Sequence, residues 1–129
     1  MNILFLVARL LLGLVFVVFG ANGFLHFIHM PPPTGLALQY ESALGASHIM
    51  VFVFTLQLLG GLLLLIGRYV PLALTLLGPV IVNILLFHVF MAPQGLPLPL
   101  FVTLLWLICF WGVRGAFAAI FAPTYAEHA

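Results

Sequence analysis

The chain has 129 residues, of which 66% are hydrophobic and 4% charged, with a formal net charge of +1. Soluble domains carry roughly a quarter of their residues as charged side chains, so a soluble fold is excluded. Three basic residues leave no electrostatic footprint for a nucleic acid. What remains is a single integral membrane domain in contact with a lipid bilayer.

Four apolar stretches reach the about 20 residues that one helical crossing needs. They predict an all-α fold, an antiparallel bundle of four transmembrane helices over residues 3–28, 48–66, 69–91 and 96–118. The first stretch exceeds the roughly 7–15 apolar residues of a secretion signal, and no small-x-small cleavage site follows it, so it reads as a membrane helix. Leu10 to Ile28 alone covers about 28 Å, which leaves Arg9 as an anchor that snorkels to the interface. Asn22, His26 and His29 share one face of this helix by their i, i+4, i+7 spacing. Gly13 and Gly20 lie about 120–180° away from them. Two such separated faces lead to the expectation that one of them meets another copy of the chain or a partner subunit.

Met30-Pro31-Pro32-Pro33 forces a stiff, extended exit from the first helix. Behind it, Leu36, Tyr40 and Leu44 recur at helical spacing and predict a short outer loop helix lying on the membrane surface. The second membrane helix carries Gln57 on one face with Gly60 and Gly61, where a neighbouring backbone can come close. It stops at Gly67 and the third helix restarts at Pro71, a link so short that the two form an antiparallel hairpin. Pro79 inside the third helix leaves the Thr75 carbonyl without its helical donor and predicts a kink. Cys109, in the fourth helix, has no second cysteine to pair with and reads as a small packing residue.

Alternation of the four helices puts Arg9, Arg68 and Arg114 on one side, which the positive-inside rule makes cytoplasmic. Both termini are then expected inside, and the loop that holds Glu41 outside. Counted from the outer boundary, Gln57, Asn83 and Trp106 lie about 12–14 Å deep, Asn22 about 9 Å, and His26 and His88 about 3–5 Å. Polar groups are costly against lipid, so Asn22, His26, Gln57, Asn83, His88 and Trp106 are expected to turn inward as one layer. His88, ~140° around its helix from Asn83, can look along a different seam.

Such a layer is either a structural network that holds the helices in register or an outward-opening site for a small amphipathic ligand. A quinone head group fits the second reading, with a histidine donating to its carbonyl. Haem b held by His26 and His88 is disfavoured, because it needs more glycine-lined space than these positions offer. No carboxylate or thiolate stands near enough in sequence to complete a metal site. A solute permease would need polar residues toward the cytoplasmic side as well, where there are almost none. No catalytic residues are assigned.

The runs Arg9-Leu-Leu-Leu-Gly13, Phe19-Gly20-Ala-Asn22-Gly23-Phe, Gln57-Leu-Leu-Gly60-Gly61-Leu-Leu-Leu-Leu-Ile-Gly67-Arg68 and Pro79-Val-Ile-Val-Asn83-Ile-Leu-Leu-Phe-His88, with the Met-Pro-Pro-Pro loop, resemble the DoxX family of small four-helix membrane proteins. The resemblance covers nearly the whole chain. It implies a compact bundle in the bacterial cytoplasmic (inner) membrane, acting as a subunit of a quinone-linked redox complex or as a partner of other membrane subunits. Many members carry Lys where Gly23 stands here and Glu where Gln57 stands. The ion pair or proton relay those residues could form is absent, and a neutral hydrogen-bonding site fits this chain better.

Overall fold

The computed structural model describes residues 2–124 and is all-α. Five helices follow one another as α1 (Ile3–Leu25), α2 (Gly35–Ala46), α3 (Ile49–Ile66), α4 (Val70–Met91) and α5 (Pro97–Gly112), with 3-10 turns at Pro93–Gly95 and Arg114–Phe117. By length and composition α1, α3 and α4 can each cross a membrane, and α5 is a shorter apolar helix. Their exposed faces are rich in Leu, Val, Ile and Phe, which suits contact with lipid.

The helix ends follow from local chemistry. Asn2 caps α1, its Oδ1 accepting from the Leu4 N–H at 2.9 Å. Against the expected end at residue 28, α1 stops at Leu25 because His26 adopts the left-handed conformation (φ 53°). The Asn22 side chain then captures the Ile28 N–H at 2.7 Å, a donor that a continuing helix would have given to Phe24. Between α3 and α4, Gly67 takes φ 75° and, with Arg68, donates to the Leu63 carbonyl. This glycine-terminated C-cap turns the chain within three residues. The fourth helix also ends earlier than residue 118: the Val113 N–H donates to Phe110, three residues back, and the chain tightens into the Arg114–Phe117 turn.

The principal contacts form a closed ring in which α1 packs on α3 and α5, and α4 packs on α3 and α5, while α2 lies against α3 and α4. Closest of all is the α1–α3 seam. A Cβ added at Gly13 would stand 2.9 Å from the Gly61 carbonyl oxygen, and one added at Gly61 would stand 2.9 Å from the Gly13 oxygen and the Val17 nitrogen. Gly20 is likewise buried against Leu58 and Gln57. Of the two separated faces of α1, the Gly13/Gly20 face is therefore packed inside the chain, as small residues allow when two backbones approach. Leu12, Leu64, Leu74, Leu77 and Cys109 are fully buried between the four long helices.

Pro79 does not divide α4, which is helical from Val70 to Met91. The neighbouring turn nonetheless draws in a second donor: Trp106 Nε1 on α5 donates to the Leu74 carbonyl at 3.0 Å. A Cβ at Gly78 would lie 3.7 Å from the same indole. The bare Gly78 next to a proline thus lets a ring approach a carbonyl that an ordinary helix would keep covered.

Candidate functional site

The six polar residues do not all line one site. Four of the six, Asn22, Asn83, His88 and Trp106, make side-chain hydrogen bonds, each to a different partner. Trp106 is engaged with Leu74 and stacks on Phe110, ring centres 5.4 Å apart. Asn83 is exposed and accepts from the Tyr40 hydroxyl of α2 at 2.9 Å. Gln57 is buried, 6% exposed, with its stem beside Gly20 in the α1–α3 seam. His26 is exposed in its left-handed turn. Depth along a helix, counted from sequence, fixes height and leaves rotation open, which is why residues at one level face different neighbours.

Two of the six residues, Asn22 and His88, do meet. Both line a cleft of about 560 Å³ at the end of the bundle where α1 leaves, walled by Ile28, Pro31–Pro33, Ala37, Phe87 and Met91. Glu41 and Gln94 line it as well. Besides α1, which brings Asn22, four elements build it. The Pro31–Pro33 segment cannot collapse into a helix, so it stands as a stiff wall. Ala37 and Glu41 come from one face of α2 by their i, i+4 spacing. His88 belongs to the last turn of α4, and Gln94 and Gly95 to the turn before α5.

The His88 ring is oriented by its own helix. Its Nδ1 donates to the Ile84 carbonyl at 2.8 Å, which leaves Nε2 as the acceptor of a neutral ring. The ring edge packs on Gly95, where an added Cβ would lie 2.8 Å from Cδ2 and 3.1 Å from Nε2. Any side chain at residue 95 would push the imidazole away. Asn22 uses its oxygen on Ile28, so its amide N–H groups remain uncommitted among the described residues. The cleft therefore combines an oriented imidazole, an amide donor, a carboxylate and a second amide with apolar walls, the mixture that holds the polar head of an amphipathic molecule.

Sequence reasoning missed Glu41 and Gln94. The signal was available for the first, since Glu41 falls one helical turn after Ala37 on the predicted loop helix. Nothing in the local pattern marks Gln94. Gly23, where the chain departs from the DoxX pattern, has the Phe54 ring against its bare Cα, with no room for an added Cβ. Among the described residues no three His, Cys, Asp or Glu side chains are grouped to hold a metal ion. Compared with known proteins, the chain matches no family model, no curated protein and no solved structure.

Proposed function

We propose that this chain is a DoxX-like protein of the bacterial inner membrane, with four crossings and both termini cytoplasmic, and that it serves as an accessory, quinone-contacting subunit of a membrane redox complex. The observation that carries the reading is the His88 cleft. It offers hydrogen-bonding groups beside Phe87, Met91 and the proline wall, and it lies at the end opposite the arginines. A quinone carbonyl takes donors, which the Asn22 and Gln94 amides can supply, and the hydroxyl of the reduced head group can donate to His88 Nε2, which accepts here and does not donate, while Phe87 offers an apolar surface for the ring. In support of a fourth crossing, α5 covers about 24 Å and the following 3-10 turn adds about 8 Å. Arg9 caps α3 through the Leu64 carbonyl, and Phe5 lies against Gly112. These contacts bring the ends bearing Arg9, Arg68 and Arg114 together, as a cytoplasmic face would require.

The test is the quinone content of the protein purified from its native membrane in mild detergent. Under reducing conditions wild type retains quinol, and His88→Leu retains about tenfold less, the worth of one hydrogen bond in a water-poor site. Equal retention by the variant would remove the ligand reading. A second reading, an interaction or assembly protein with purely structural polar residues, is favoured by one specific fact. Asn83 and Trp106 are both engaged in bonds between helices.

A further inference from the structure

The arginine-bearing end of the bundle carries a second groove, of about 480 Å³, between the first turn of α1 and the last turn of α5. Leu4, Phe5, Leu107, Ile108 and Trp111 wall it, and Arg114 stands at its mouth. The Phe5 ring lies against Gly112, which has no side chain and no room for one. Leu4, Leu107 and Trp111 are exposed along its length.

Arg114 is held in place. One guanidinium nitrogen donates to the Trp111 carbonyl at 2.6 Å, and the group lies 4.2 Å from the centre of the Trp111 ring. Stacking on the indole and one backbone bond fix the plane, and the other N–H donors of the fork stay uncommitted among the described residues. No carboxylate lines the groove among those residues. Apolar walls that open sideways and a fixed cation at one end describe the two parts of a charged lipid in the order in which a membrane presents them. A free phosphate would gain nothing from the walls, and a neutral lipid nothing specific from the fork.

We propose that this groove seats one anionic phospholipid, its phosphate on the Arg114 guanidinium and an acyl chain along Leu4, Leu107 and Trp111. Basic pockets between helices on the cytoplasmic side are the usual form of such sites. The site is independent of the His88 cleft at the other end and needs only the membrane reading of the chain.

Native mass spectrometry of the delipidated full chain in neutral micelles, given an equal mixture of phosphatidylglycerol and phosphatidylcholine, tests it. Wild type retains phosphatidylglycerol preferentially, and Arg114→Gln retains about fivefold less, the weight of one basic residue at an anionic surface. Leu107→Trp fills the groove while leaving the cation, and it lowers retention similarly. Arg68→Gln, at the same end and outside the groove, binds as wild type, and all variants keep the wild-type helical signal. Wild-type retention by Arg114→Gln overturns the site, and so does an equal loss in Arg68→Gln, which would mean diffuse charge attraction. Displacement of the lipid by inorganic phosphate also overturns it, because the walls would then contribute nothing.

Discussion

At the α1–α3 seam, Gly13 and Gly61 remove side chains so that two backbones meet, and no space is left between them. At the His88 cleft, Gly95 also removes a side chain, but there the vacancy admits the His88 ring, and prolines hold the remaining walls apart. Glycine thus closes one region and shapes an opening in the other. The difference lies in what surrounds it. Leucines and valines on two regular helices fill every gap around the seam, whereas a proline segment and a tight turn at the cleft cannot interdigitate. Stability is expected to reside in the seam, and exchangeable contacts in the cleft.

The sharpest way to break this contrast is Gly61→Leu. Its Cβ would meet two backbone atoms of α1 at 2.9 Å, and helix backbones cannot step aside as a flexible side chain can. The variant is expected to lose about 3 kcal/mol, the upper range for overpacking, read as unfolding of the helical signal in micelles. Cys109, fully buried in the wild type, should become reactive to a thiol reagent under the same conditions. A loss below about 1 kcal/mol would mean that the seam is looser than its geometry and that stability is spread evenly over the bundle.

Trp106→Phe probes an inter-helix hydrogen bond of the packed region. It removes the N–H donated to Leu74 and keeps an aromatic ring against Phe110, so the expected cost is about 1 kcal/mol in the same unfolding measurement. An unchanged midpoint would show that the Leu74 carbonyl, already inside a helix, needs no second donor.

Much of the fold was legible in the chain. The long apolar runs, the Gly67 turn, the prolines and the loop helix all depend on properties local to a few residues, and local properties are what a sequence displays. The helix ends were off where a side chain competed with the backbone, as Asn22 does at Ile28 and Arg114 at Trp111. The candidate site was half legible. Asn22 and His88 stood out as polar residues in apolar runs, and both line the cleft. The company they keep was hidden, because Glu41 reaches them only through the fold-back of the proline segment and α2, and Gln94 only through the tight turn between α4 and α5. Trp106 and Asn83 bond neighbours that their own helices do not reveal, and Gln57 is buried in the α1–α3 seam. A helix buried on several faces has polar positions that carry no periodic sign of which neighbour they meet.

The smallest expected effect belongs to Tyr40→Phe, and it separates the two regions most cleanly. The substitution removes one hydroxyl that donates to Asn83 and keeps the ring that packs 5.4 Å from Phe87. One hydrogen bond between helices in a membrane protein contributes about 0.6 kcal/mol, so amide exchange in α2 should quicken roughly threefold while exchange along α1 and α3 stays as in wild type. Because α2 supplies Ala37 and Glu41 to the cleft, the same variant should also release a bound head group faster. If α1 and α3 loosened together with α2, the seam and the cleft would belong to one cooperative unit, and the assignment of stability to one and exchange to the other would fail. If neither changed, α2 would be held by Ala37 and the Phe87 contact alone, and the Tyr40–Asn83 bond would serve only to satisfy an amide that the helix exposes.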